Sequence, residues 1–378
     1  MIAGYKPHFS RFLTADPHRL HAAAHSHHPW PDVTFEAHQQ AWLDAAGLQD
    51  DKWDHVFGEV LPEAQRHVAA QLRLPDPSTV AFAPNTRELV ARIVSCLRSP
   101  ARVLTTDAEF HSFARQVARW EEAGSVVVDR IASAPLESFP ERFLAAAARG
   151  GHDLVFFSQV LFDSGLVVTD AAEIVRSVPD DDTFVVVDGY HGFMAVPTDF
   201  STVADRAFYT AGGYKYAMAG EGACFLHCPP GYGPRPVDTG WFAGFGDLVA
   251  RPAGTVGYPG DGGRFLGATF DPSALYRFNA VQRWLGELGL SVADIHAHVR
   301  DLQQQFLEHV GDAVPPPDAQ PSGHFFSFRM GDADATYRRL HDRGVITDFR
   351  GDRLRVGLGL YHDTADVRRL ASSLTAAV

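Results

Sequence analysis

The chain has 378 residues, 46% hydrophobic and 21% charged, with a formal net charge of −13 at pH 7. This length supports a substantial core and predicts one large and one smaller domain, while the acidic balance argues against nucleic acid as the main partner. No apolar stretch approaches the ~20 residues of a membrane span, the start MIAGYKPHFSRF lacks a signal-peptide pattern, and three cysteines make no disulfide framework. The expectation is a cytoplasmic enzyme or binding protein with no membrane partner.

The first 30 residues are irregular and end in the histidine-rich run LHAAAHSHHPWPD (20–32). His25, His27 and His28 lack a regular helical spacing and have no nearby cysteine, so a loop feeding a pocket is expected rather than a metal site. From Phe35 to Leu74 apolar residues recur at helical spacing, which predicts two helices with a break near Trp53. The pattern then changes. VAFAP (80–84), RVLTT (102–106), SVVVDRI (125–131), DLVFFSQV (153–160), TFVVVDG (183–189) and RAFYTAG (206–212) are continuous β-branched or aromatic runs, most of them separated by helical segments. Parallel strands buried on both faces read this way, and in such sheets the chemistry gathers beyond the carboxyl ends of the strands.

Cys224 and Cys228 form a lone C-x-x-x-C and are read as strand-end residues. Segment 229–264 has the composition of a long loop, which inside a compact domain is usually functional or disordered. Helices are expected at 273–289 and 291–310. After the PPP break at 315–317 come a strand (HFFSFRM), a helix (DADATYRRLHDRG), strands VITDF and RLRVGL, and a final helix (TADVRRLASSL). The expected division is an N-terminal segment 1–30 contributing to the active site, a large domain 31–265 and a small α/β domain 266–378.

Four strand ends carry chemistry, each with a plainer alternative. Asn85-Thr86-Arg87 opens a helix and offers N–H groups, a hydroxyl and a guanidinium to a phosphate, or is an ordinary helix cap. Glu109-Phe110-His111-Ser112 sets an aromatic at the mouth of the next strand, to stack on a flat heterocycle or to fill the core. Asp188 ends a very apolar strand, with His191 three residues on; it pairs with a protonated pyridine nitrogen or caps a helix. The fourth is Lys215, in AGGYKYAMAGEG (211–222). Only Lys6, Lys52 and Lys215 are lysines, against 30 arginines. Arginine keeps its proton, whereas lysine can lose one and become a nucleophile, so Lys215 is either an incidental loop residue or a Schiff-base amine. Phosphate cradle, stacking ring, ring-nitrogen acid and amine in succession describe pyridoxal 5'-phosphate.

This order of motifs resembles the class V aminotransferase family of fold-type-I pyridoxal-phosphate enzymes. The D-x-x-H at Asp188–His191, the lysine 27 residues after Asp188 and the E-F-H-S block carry the likeness. Within that family the sequence is most similar to kynureninase. Phe110 rather than histidine holds the stacking position, Gly213-Tyr214-Lys215-Tyr216 surrounds the lysine, and Gly240-Trp241 follows. The run T-D-F-R (347–350), L-R-V-G (354–357) and L-Y (360–361) completes it. The resemblance implies that Lys215 holds the cofactor as an internal aldimine and moves protons, that Asp188 holds the pyridinium proton, and that Phe110 stacks on the ring. It implies phosphate contacts from Thr86, Arg87 and Tyr214, with Trp241 and Thr269 donated by the neighbouring subunit of a homodimer with shared active sites. His191 would lie near the ring oxygen. Arg355 would grip the α-carboxylate of an amino-acid substrate, with His25 and Ser26 at the substrate side.

The sequence departs from the kynureninase pattern where substrate is met. The usual Asn-Phe-Pro-Thr-Asp block reads Glu109-Phe110-His111-Ser112-Phe113, without the expected acid, and Thr269-Phe270-Asp271-Pro272 stands in place of an Asn-Pro-Pro segment. The resemblance implies an external aldimine with a small amino acid, and hydrolytic Cβ–Cγ cleavage of a kynurenine-type substrate. A class V aminotransferase is the alternative. A cysteine desulfurase or selenocysteine lyase stands behind it, since no cysteine follows residue 228. A non-catalytic binding protein on the same fold is the reading from a different class.

Overall fold

A computed structural model of the chain describes residues 4–168, 171–247, 254–320 and 322–378. A two-residue strand, β1 (Leu20–His21), precedes the long helices Val33–Leu48 and Leu61–Leu72, which are separated by short irregular helical turns around Trp53. The central sheet contains β2 (Val80–Ala83), β3 (Ala101–Thr106), β4 (Val126–Ile131), β5 (Leu154–Ser158), β6 (Phe184–Asp188), β7 (Ala207–Ala211) and β8 (Cys224–His227). Its order is β2-β8-β7-β6-β5-β3-β4. Only β8 runs against its neighbours; the other six strands are parallel. Every residue of β5 is buried, and so are Val185, Val186 and Val187 of β6. Burial on both faces is why these runs are continuous rather than alternating. Ser158 pairs with Asp188, and Asp188 with Thr210, so neighbouring strands finish level along one edge.

The second core lies against the helices Val292–Val310 and Thr364–Thr375. Its strands are β9 (Phe325–Arg329), β10 (Val345–Ile346), β11 (Asp348–Arg350) and β12 (Arg353–Gly357), with β11-β12-β9 forming an antiparallel sheet. β10 instead pairs in parallel with β1. Helix Ser273–Glu287, expected in the small domain, packs its Leu275, Phe278, Val281 and Trp284 into the large core against Val33–Leu48. Leu20 and Ala22 pack in the small core and Ala24 in the large one, so the N-terminal segment is a strap between the two. No helix among the described residues is long and apolar enough to cross a membrane. Of the long segment 229–264, residues 248–253 lie outside the described residues.

Candidate active site

A cavity of about 300 Å³ opens at the carboxyl edge of the parallel strands, with Thr86, Phe110, Ser158, Asp188, Tyr190 and Lys215 among its walls. They come from the ends of five strands or the segments just past them, Asp188 and Tyr190 both from β6. The loop of residues 212–223 between β7 and the returning β8 carries Lys215, and two of its glycines are sterically required. A Cβ on Gly212 would lie 2.3 Å from the Tyr190 hydroxyl and 2.6 Å from Cys224 Sγ. Gly222 has φ +86°, the left-handed region that favours glycine. Met218 and Ala223 also have positive φ, at 58° and 44°, a cost that surrounding packing must hold in place.

Lys215 is buried. Its Nζ donates to the His25 carbonyl at 2.9 Å and sits 2.7 Å from His191 Nε2. The rings of Phe110, Tyr190 and Tyr214 surround it at 5.5 to 5.7 Å. Burial, and then the nearby Arg355 guanidinium, lower its pKa to about 7. His191 is held well below its ordinary value by burial and by Lys215, so its ring stays neutral and can accept from the amine. Asp188 accepts from the Tyr190 backbone N–H at 2.9 Å, and burial raises its pKa to about 6. The carboxylate and the amine face one cavity, both poorly solvated.

At the end of β2, Asn85 caps helix Thr86–Val94 by accepting from the Glu88 N–H at 3.0 Å, so the plain reading holds for Asn85. Thr86 and Arg87 beside it line the cavity, and Arg87 is steadied by Gln116 at 3.0 Å. Tyr214 also lines it, its ring stacked on His27 at 5.1 Å. Among the described residues no group of three or more His, Cys, Asp or Glu could hold a metal ion.

The remaining expected residues sit differently. Trp241 Nε1 donates to Thr269 Oγ1 at 2.9 Å, Trp241 is 38% exposed, and neither lines the cavity. They meet each other at the surface, not this chain's own site. Arg355 is buried, as its place between apolar residues of β12 predicts, but its guanidinium is already engaged by the Asp348 carboxylate and the Phe162 carbonyl. His25 does not line the cavity. It serves Lys215 through its backbone carbonyl, while its ring stacks on Phe325 at 4.6 Å. Ser26 also stays outside, its hydroxyl 3.2 Å from His27 Nδ1.

Residues 291–374 match the family model of the kynureninase C-terminal domain. Among solved structures, the cystine C–S lyase C-DES in complex with its product cysteine persulfide superposes with a TM-score of 0.79. It shares 17% identity, over 94% of this chain and 97% of that one. A variant of the same lyase with glycine covalently linked to the PLP cofactor gives 0.79 at 16% identity, covering 97% and 98%. The apo cysteine desulfurase of Thermococcus onnurineus NA1 gives 0.80 at 16%, covering 96% and 95%. The chain has the fold of these pyridoxal-phosphate-dependent structures, and residues 291–374 are similar to the kynureninase C-terminal domain. No curated protein matches the sequence.

On this fold the donor set suits the cofactor. A helix start with a hydroxyl and a guanidinium, a flanking aromatic, a partly buried acid and a buried amine converge on one space. Sequence reasoning missed Tyr190, whose N–H fixes Asp188, and Phe162, whose ring lines the cavity and whose carbonyl holds Arg355. It also missed Glu109 as a buried partner of Ser158, bonded at 2.6 Å, and Asp348 as the partner of Arg355. Asp348 lies inside the T-D-F-R run, which was the signal available. The pairing itself appears only once β11 lies beside β12.

Proposed function

We propose that this chain is a pyridoxal-phosphate enzyme acting on a small α-amino acid, with kynureninase-like hydrolysis as its reaction. One observation carries the cofactor reading: a buried lysine amine, its pKa lowered to about 7, shares a cavity with Asp188, Phe110 and the Thr86 helix start. The C-terminal domain match at 291–374 supports the kynurenine-type substrate.

Thr86, Arg87 and Tyr214 would hold the phosphate, Phe110 the ring face, Asp188 the ring nitrogen and Lys215 the aldehyde carbon. Once bound, the group supplies an electrophilic carbonyl for amines and a sink for electrons released at the substrate Cα. The Nζ of Lys215, neutral in a large fraction of molecules near pH 7, takes the Cα proton and can return it. His191 Nε2 and the His25 carbonyl fix the direction of that amine. Asp188 keeps a proton on the ring nitrogen through a charge-assisted hydrogen bond. Arg355 orients the substrate carboxylate, and Trp241 with Thr269 completes the phosphate site of a second subunit in a homodimer.

The C-DES likeness favours a second reading, C–S bond cleavage without a late thiol loop. Cys224 does not replace that thiol: burial pushes its pKa up to about 11 and it lies 3.4 Å from the Tyr190 hydroxyl. Protein purified with added cofactor should be yellow and should carry a borohydride-reducible link that Lys215→Ala abolishes; a link surviving in that variant would assign the amine elsewhere. Anthranilate release from L-kynurenine supports the hydrolase, sulfide or persulfide from L-cystine the lyase, and keto-acid formation from an amino donor the transaminase.

A further inference from the structure

Arg355, the residue read above as the carboxylate grip, is not waiting empty. Its guanidinium donates from Nη2 to Asp348 and from Nη1 to the Phe162 carbonyl, while the buried Nε has no partner. A carboxylate taken side-on by arginine uses Nε together with Nη2, two parallel N–H bonds. Half of that fork is idle and the other half is held by the chain's own acid. Asp348 is the cross-strand partner of Arg355 in the β11–β12 register, so it reaches the guanidinium without any loop ordering.

We propose that Asp348 is an internal stand-in for the substrate carboxylate, seated on Arg355 until an amino acid displaces it. The proposal rests on the Arg355 reading. Two groups are placed to receive the displaced acid. Arg350 Nη1 already bonds Asp348 Oδ1 at 2.5 Å. On the other side, His25 Nε2 lies 3.7 Å from Asp348 Oδ2, and both nitrogens of that fully buried ring are unpartnered. A small rotation therefore exchanges one bond of Asp348 for another while its charge stays paired with Arg350. The backbone carbonyl of the same His25 holds Lys215, so filling the carboxylate site draws on the residue that seats the amine.

Binding to a site whose competent state is only fractionally populated is weakened by that fraction. If Asp348 occupies Arg355 in nine molecules of ten, Asp348→Asn tightens carboxylate binding about tenfold. The test is calorimetric titration of the cofactor-loaded protein with L-alanine and with L-alaninamide, which lacks the carboxylate. The expected result is a wild-type preference for L-alanine, and a gain in Asp348→Asn confined to L-alanine. Equal or weaker L-alanine binding in the variant, with the wild-type preference intact, overturns the stand-in and makes Asp348 a brace. No wild-type preference removes the Arg355 reading and the proposal together. Should the variant not fold, a crystal structure of wild type with L-alanine decides: Asp348 must have left Nη2, and an Asp348 still bonded there overturns the proposal.

Discussion

In a chain whose positive charges are almost all arginine, each lysine has a distinct setting. Lys6 bonds Asp366 at 2.8 Å at the surface, Lys52 lies over the Trp53 ring, and Lys215 is buried among aromatics. Burial makes Lys215 useful and costly at once. Its folded pKa of about 7 lies below the ~10.4 of an unfolded lysine, so between those values the unfolded chain binds more protons than the folded one. The penalty is absent above pH ~10 and grows as pH falls towards 7, so this group makes stability rise with pH across that window. One proton corresponds to ~1.4 kcal/mol per pH unit. Lys215→Met keeps the volume and removes the charge, so the cofactor-free variant should be more stable than wild type at pH 7.5. The stability difference should shrink by about that slope up to pH 10. Urea unfolding of both proteins at several pH values checks it; parallel pH profiles would show that Lys215 is charged and solvated.

At the scale of elements, the N-terminal strap joins the two cores and the lysine. β1 pairs with β10, Ala23 bridges Gly357, and His28 N donates to the Tyr214 carbonyl at 3.0 Å beside Lys215. The strap lies so close to β12 that a Cβ at Gly357 would sit 2.2 Å from His25 Nδ1 and 3.0 Å from His25 N. The nearer atoms belong to a ring locked against Phe325, so the strap itself must move. Gly357→Ala should destabilise the chain by about 1–3 kcal/mol, as overpacking does, and should weaken cofactor capture because the His25 carbonyl leaves Nζ. A melting curve with a cofactor titration tests both; unchanged capture would show that the strap does not seat the lysine. Much of this scale was legible in the sequence. The six parallel strands are long apolar runs, and Thr86, Phe110, Asp188 and Lys215 could be placed on one edge because each follows such a run. β1 has no counterpart in the sequence reading, since two residues carry too little pattern, whereas Cys224 is a strand end as expected. Helix Ser273–Glu287 packs in the large core although its place in the sequence suggests the small domain, because periodicity reveals that a face is buried, not what buries it. Asp348 and Tyr190 escaped for a related reason: their roles are contacts made by the fold.

The whole molecule raises the question of what covers helix Val33–Leu48. It packs on Ser273–Glu287, yet among its residues only Thr34 is buried, while Trp42 is 70%, Leu43 54% and Phe35 45% exposed. An exposed apolar group of this kind marks an interaction surface more often than an accident. Trp241 and Thr269, bonded to each other at the surface and absent from their own cavity, pose a matching question. The homodimer proposed above would answer both, covering the helix and bringing the Trp241–Thr269 pair to the phosphate site across the interface. Interface hot spots, among which tryptophan is enriched, contribute about 2 kcal/mol or more, so Trp42→Glu, which also buries a charge, should weaken dimerisation ~30-fold. If the pair acts across the interface, the dissociated protein should also hold the cofactor more weakly, although Trp42 touches no cofactor group. Sedimentation equilibrium followed by cofactor titration on the same samples separates the two effects. A Trp42→Glu monomer that binds the cofactor as tightly as wild type would leave the interface standing and return Trp241 and Thr269 to ordinary surface residues. A variant that stays dimeric would move the interface to another face of the molecule.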